Sequence, residues 1–173
     1  MIMEGWINID LKPYKGKVMV MRAPEGLKKF KDGSVRFIYA SHMVEHLDYR
    51  TEAPNLVKEC YRILAPGGAW RIMVPGIERI IRAYVRDDKE FFKVQESHHP
   101  KWCTTKMEHL MYALQQDGEH KYGYDFETIS KLVSAGGFKK IINSDYNKSE
   151  HPELRVDYRG ENLSLFVEAI KAL

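Results

Sequence analysis

The sequence predicts an α/β fold of three layers, with a mostly parallel sheet covered on both faces. Three observations predict it. Short apolar runs alternate with amphipathic runs of helical period through most of the chain, the pattern of parallel strands joined by crossover helices. The chain then closes on two strand-like runs in succession, Phe138 to Asn143 and Leu163 to Ala169, which adds one antiparallel strand. Segment 86–124 interrupts the alternation: it is polar, rich in His and aromatic residues, and follows a strand end. Ligands bind outside the carboxyl ends of such strands, so this segment is expected to be a lid insertion within one domain spanning residues 1–173.

The elements follow in order. Gly5-Trp6-Ile7-Asn8-Ile9-Asp10 is a short apolar strand that ends on an acid, and Val18 to Met21 is a second strand candidate. Asp32-Gly33 supplies the backbone freedom of a tight turn. Val35 to Ala40 then alternates as a strand. Leu56, Val57, Cys60, Tyr61, Ile63 and Leu64 repeat at helical spacing, so 51–64 is a helix with Thr51 as its N-cap, and Pro54 is tolerated in the first turn. Pro66-Gly67-Gly68 stops it, and Ala69 to Val74 is the next strand. A helix follows from about Ile77, with Ile77, Ile80, Ile81, Tyr84 and Val85 on one face. Another runs from Thr105 to Gln116, aligning Met107, Leu110, Met111 and Leu114. Asp125 caps a last helix, which Gly136-Gly137 closes.

The bulk properties narrow the function classes. A chain of 173 residues with 44% hydrophobic residues can bury a core of its own. The net charge of +3 lacks the dense basic stripe of a nucleic-acid binder. Lys28, Lys29 and Lys31 read as a solvated loop. Two cysteines, Cys60 and Cys103, make no disulfide framework. No apolar run is long enough for a membrane span, and no signal peptide is evident, so a reducing cytosol is the expected compartment.

Three blocks together carry more. They are Gly5 to Asp10; Phe30 to Leu47, containing Ser41-His42-Met43-Val44-Glu45-His46; and Glu59 to Gly68 followed by Arg71-Ile72-Met73-Val74-Pro75. In order and spacing they resemble class I S-adenosylmethionine-dependent methyltransferases, in particular the small bacterial type 11 branch. Ser134 to Phe138 and Leu163 to Ala169 extend the likeness to nearly the whole chain. The resemblance implies a Rossmann-like methyltransferase fold and S-adenosylmethionine as cofactor. It implies that Asp10 holds the two ribose hydroxyls, that Leu11 lies near the adenine, and that Ser41 and His42 border the methionine half. Glu45 and His46 match a Glu-His pair at the end of the family's fourth strand. The methyl acceptor is expected to be a small or carbohydrate-like molecule.

The departures matter equally. The family's first strand and its Gly-x-Gly loop are absent from the sequence, and none of its twelve glycines forms Gly-x-Gly. Met21-Arg22-Ala23 and Arg36 stand where relatives often carry Asp. A missing central strand leaves backbone groups unpaired, so the second and fourth strands of the family fold are expected to pair directly, or Met1 to Glu4 to extend the pairing, or another copy to lend a strand. Either a start codon downstream of the true one or a genuinely shortened relative accounts for this start. The alternative to an enzyme is a non-catalytic methyltransferase-like domain acting by self-association through unpaired strand edges or by binding a partner.

His42 and His46 are candidate general bases, because imidazole titrates near neutrality, but orientation of the strand end is the favoured role. His98-His99-Pro100-Lys101-Trp102-Cys103 with His109 lacks the second ligand pair of a structural zinc site and reads as a lid loop, so no metal is expected. Trp102, Tyr112, Tyr122 and Tyr124 read as half-buried packing more than a substrate wall. Cys103 has no activating partner for a nucleophile.

Overall fold

The computed structural model describes residues 2–158 and 163–173. Its main sheet has four strands in the order β3-β4-β6-β5, where β3 is Val35–Ser41, β4 is Leu64–Pro75, β5 is Lys140–Ser144 and β6 is Ser164–Ile170. β3 and β4 are parallel, and β6 runs antiparallel to both β4 and β5. Three strands therefore point one way and the closing strand opposes them, as the hairpin-like end of the sequence requires. β1 (Ile9–Asp10) and β2 (Met19–Val20) form a separate two-stranded parallel sheet. The family-like second and fourth strands, β1 and β3, do not pair among the described residues. Residues 2–4 join no strand, and Met1 lies outside the described residues.

Alternation along the strands assigns the two faces. Ile38 and Ala40 of β3, Trp70, Ile72 and Val74 of β4, and Val167 and Ala169 of β6 enter one core cluster with α1 (Glu52–Ile63) and α5 (Phe126–Ala135). Both helices are amphipathic and turn their apolar stripes to the sheet. α1 buries Ala53, Leu56, Val57, Cys60 and Ile63, and α5 buries Ile129, Leu132 and Val133. They pack closely beneath the turn after α5: a Cβ on Gly136 would sit 2.2 Å from Val57 Cγ1. At the start of β4 a Cβ on Gly68 would meet the carbonyls of Ala65 and Arg36 at 2.8 Å, so that turn needs glycine.

The opposite face is built around a charge. Arg71 of β4 is fully buried. A guanidinium taken out of water must place its donors on protein groups. All five are placed: Nε on Asp157 Oδ1 at 3.0 Å, Nη1 on Ser144 Oγ at 3.2 Å and Lys148 O at 2.9 Å, Nη2 on Asp145 O at 2.8 Å and on Asp157 Oδ2. Asp157 is locked in turn by reciprocal bonds with Asn147, each 2.8 Å. Glu168, in cross-strand register with Arg71, adds a second carboxylate 3.8 Å away. Segment 145–158 is thereby drawn across the sheet as the third layer, seating Leu154 in the interior and Tyr146 against Phe166.

Helices α2 (Ile77–Arg86), α3 (Lys89–Glu96) and α4 (Lys106–Gln115) form a satellite cluster after β4, centred on Ile80, Ala83 and Phe92. It places the expected lid segment on its own small core. Two expected helix faces are corrected here. Ile81 and Val85 of α2 face solvent, and so do Met107 and Met111 of α4. α4 turns His109 inward instead, against His99 and Phe92, because its packing neighbours are α2 and α3 rather than the sheet. Thr105 caps α4 through a reciprocal box with Glu108, and Asp125 caps α5 as expected. Thr51 does not cap α1 with its side chain. Its Oγ1 donates to Asp48 Oδ1 at 2.7 Å, and Asp48 collects the backbone N–H groups of Arg50 and Thr51.

Glu52, in the first turn of α1, ties three segments together. It accepts from the Asp48 backbone N–H at 2.8 Å and from Lys121 Nζ at 3.1 Å, and it pairs with Arg22. The Asp48 bond, then Lys121 and Arg22, hold its carboxyl down from 4.5 to about 2.

Two outcomes are expected. Asp157→Ala leaves Arg71 buried without its carboxylate and should lower the unfolding free energy by about 3–5 kcal/mol, whereas Lys140→Ala, which breaks an exposed pair with Glu150, should cost about 1 kcal/mol or less; urea unfolding measures both. Because the folded-state value of Glu52 is depressed, its stabilisation is present above the unfolded value of 4.5 and is lost as pH falls toward about 2. The melting-temperature difference between wild type and Glu52→Gln should therefore shrink over that window. Solvent exposure keeps the difference small and sensitive to salt.

Candidate functional site

The carboxyl end of β3 gathers the polar residues. The strand ends at Ser41, and the chain turns at His42, whose φ of 47° lies in the left-handed region that a non-glycine residue rarely occupies. The His42 backbone N–H donates to Met73 O of β4 at 2.8 Å, which holds this turn against the sheet. Such a conformation persists only where its surroundings impose it, and it aims the imidazole back over the strand end. His42 Nε2 lies 3.0 Å from Ser164 Oγ at the start of β6, and Nδ1 lies 3.2 Å from Glu45 Oε1. Ser41 Oγ donates to Tyr158 Oη at 3.3 Å, bringing the end of the 145–158 layer to the same place.

Val44, Glu45 and His46 form a single 3₁₀ turn, with Val44 and Glu45 buried. Glu45 has 1% of its surface exposed, and neither carboxylate oxygen makes an aligned hydrogen bond. The His42 contact is one of distance only. The Glu45 carbonyl accepts from Lys121 N at 2.8 Å and Tyr122 N at 3.2 Å, so the end of the lid segment is stitched to this turn. That stitch sets His120 edge-on against His46 with ring centroids 4.8 Å apart. His46 Nδ1 bonds to Glu119 O at 3.1 Å, and His120 Nδ1 bonds to Ala113 O at 3.0 Å. A carbonyl can only accept, so each ring carries its proton on Nδ1, and the Nε2 lone pairs are left over. Burial shifts the His120 imidazole below its ordinary value.

An aromatic wall stands beside this turn. Tyr49 stacks on Tyr122 at 4.1 Å, and Tyr124 lies behind both, fully buried. Trp102 and Tyr112 meet edge-on at 5.9 Å, away from that stack, with Trp102 largely exposed. Cys103 is buried and its thiol is pushed up by burial and by Glu108, which fits an inert thiol. A cleft of about 220 Å³ opens at the end of β4 and the start of β6, lined among others by Gly76, Asn143, Ser144, Ser164 and Phe166.

The structure thus brings Ser41, His42 and His46 together, with Glu45 between the two imidazoles. Asp10 stands apart on the β1–β2 sheet with Leu11 just beyond its strand, both exposed. Asp10 Oδ1 accepts from Lys12 N at 3.1 Å, and no hydrogen bond joins Asp10 or Leu11 to Ser41 or His42 among the described residues. Sequence reasoning missed His120, Tyr158 and Ser164. The first two lie in irregular segments with no periodicity to mark them, and Ser164 reads simply as the first residue of a strand.

Comparison with known proteins agrees with this architecture. The methyltransferase-domain family matches residues 8–72, which run from just before β1 through most of β4. No curated protein matches the chain in sequence. Among solved structures, a SAM-dependent methyltransferase from Archaeoglobus fulgidus superposes with a TM-score of 0.55 at 18% identity, covering 91% of this chain and 69% of its own. A protein from Bordetella parapertussis, described as a possible exported protein, gives 0.55 at 13% identity over 91% of this chain and 45% of its own. The S-adenosylmethionine-dependent methyltransferase SibL in its apo form gives 0.51 at 9% identity over 91% and 36%. The chain therefore spans between about a third and two thirds of these proteins' lengths. Residues 8–72 thus match the methyltransferase-domain family, and the chain shares the fold of the S-adenosylmethionine-dependent methyltransferase it superposes on.

Proposed function

We propose that this chain acts in S-adenosylmethionine-dependent methyl transfer to a small-molecule or carbohydrate-like acceptor. The observation that carries the reading is the polar turn Ser41-His42-Met43-Val44-Glu45-His46 at the carboxyl end of β3, inside the stretch that matches the methyltransferase domain. When bound, the cofactor supplies a methyl group on a sulfonium centre, ready for displacement by an acceptor nucleophile in line with the breaking bond.

The residues present suit that cofactor. The Asp10 carboxylate accepts only from Lys12 N among the described residues, so its remaining lone pairs are available to ribose hydroxyls. Leu11 offers exposed apolar surface next to it for the adenine. Ser41 and His42 border the position of the methionine half. His42 is held to Ser164 through Nε2 and faces Glu45 with Nδ1, which supports a role in fixing the strand end rather than in shuttling protons. Holding two reactants in line is the larger contribution to such a displacement. Tyr122, exposed on top of Tyr49, offers aromatic surface of the kind that a flat or sugar-like acceptor packs against.

Calorimetric titration with S-adenosylhomocysteine tests this. Saturable binding is expected, weakened about tenfold or more in Asp10→Ala through loss of a charged acceptor. A folded chain that shows no saturation at millimolar ligand overturns it.

A second reading, self-association of a methyltransferase-like domain, is favoured by β3. This seven-residue strand pairs with β4 alone among the described residues, and its burial is mostly intermediate. An open strand edge is a template for another chain. Light scattering should then give the mass of two chains, with slower amide exchange in β3 at higher concentration. A monomer at every concentration, with fast exchange along β3, overturns this reading.

A further inference from the structure

One carboxylate oxygen of Glu45 and one ring nitrogen each of His46 and His120 lie within 4.8 Å of one another. We infer that these three residues form a divalent transition-metal site, best suited to zinc, at the carboxyl end of β3. The sequence led to no metal being expected, because the run 98–103 with His109 lacks a second ligand pair; His120 is too distant from His46 along the chain for a ligand spacing to show. The lid stitch at the Glu45 carbonyl closes that distance.

Three independent features support the assignment. Glu45 is buried with both carboxylate oxygens lacking aligned hydrogen bonds, a costly state for a carboxylate that a cation relieves. Both imidazoles donate Nδ1–H to backbone carbonyls, of Glu119 and Ala113, which is the orienting contact that metal-bound histidines use and which leaves Nε2 to ligate. His42, bonded to Ser164 through Nε2, holds its Nδ1 3.2 Å from the Glu45 carboxylate and closes the site on that side. Two imidazoles and one carboxylate bind first-row divalent ions and leave a coordination position open. Zinc bonds of about 2.0–2.2 Å at tetrahedral angles set ligand atoms roughly 3.3 Å apart, so a pair lying at the 4.8 Å bound would close by about 1.5 Å. His46 and His120 are partly exposed, which admits the ion.

A second cluster, His99, Cys103 and His109, meets the same distance criterion but is already satisfied. Nδ1 of His99 and Nδ1 of His109 are hydrogen-bonded to each other at 2.9 Å, and the Cys103 thiol is held protonated by burial. It therefore serves as the internal control.

On the methyl-transfer reading, the open position would take an oxygen of the acceptor, and His46 is then a ligand and not a proton acceptor. The site itself does not depend on that reading, and its test uses no cofactor. Tag-free, folded chain is titrated with Zn²⁺ by calorimetry and with Co²⁺ by visible absorption. One ion per chain is expected, with a cobalt spectrum free of thiolate charge transfer. Affinity should fall about tenfold or more in His120→Ala and in Glu45→Gln, with circular dichroism confirming that both variants fold, and should be unchanged in Cys103→Ser. If Glu45→Gln fails to fold, His120→Ala alone decides. Binding that survives His120→Ala, binding that is lost in Cys103→Ser, or no saturable binding overturns the assignment.

Discussion

Arg71 stands on an inner strand with no contact with water, and the cost of burying its charge organises half of the molecule. Five donors in a rigid planar fork need acceptors at fixed directions, and one strand neighbour cannot supply them. The chain answers by laying segment 145–158 over the sheet, where Asp157 takes a two-pronged contact and the carbonyls of Asp145 and Lys148, with Ser144 at the end of β5, complete the set. An apolar residue at that position would demand only cover. A guanidinium demands particular atoms in particular places, so an irregular segment becomes a defined layer. Just beyond Asp157, Tyr158 accepts a hydrogen bond from Ser41, so the layer drawn in by the buried charge also reaches the polar end of β3.

The other face follows the ordinary rule of apolar stripes against apolar strands, and the contrast is informative. α1 and α5 could shift slightly and still bury Leu56 or Ile129. The Arg71 layer could not, because a displaced hydrogen bond in a low-dielectric interior loses its partner altogether. Specific placement is found where the polar groups are buried, and the polar turn at 41–46 repeats the theme on a smaller scale. There Glu45 is buried with an imidazole on either side, and the lid segment is fastened through its backbone carbonyl. The lid is therefore joined to the sheet at the same residue whose side chain most needs a partner.

The family match lies in residues 8–72 while the shared fold extends over most of the chain, and the parts that diverge are structural in consequence. The β1–β2 pair carries Asp10 on a sheet of its own, apart from β3. Ile7, Leu11 and Val20 are left exposed around it, apolar side chains that a strand within a larger sheet would normally cover. The relation between Asp10 and the polar turn, which the resemblance places across one cofactor, thus spans two sheets in this chain.

Much of the fold was legible in the sequence because its signals are local. The period of 56, 57, 60 and 63 marks α1; Asp125 and the Gly136-Gly137 pair bracket α5; the alternation of 35–40 marks β3. The motif Ser41 to His46 was legible as a block for the same reason, since its members are neighbours. Where local signals misled, tertiary contacts had the larger energy. Thr51 gave up its capping role to Asp48, and α4 rolled its His109 inward because α2 and α3, not the sheet, receive it. By itself the sequence determined the order and type of most elements and the residues at the end of β3. Only the tertiary structure decided that Arg71 finds Asp157, that His120 meets His46, and that 145–158 forms a layer. Each of these joins residues far apart along the chain, through hydrogen bonds and charge that leave no periodic trace, and each exists only once the sheet has brought both ends within reach.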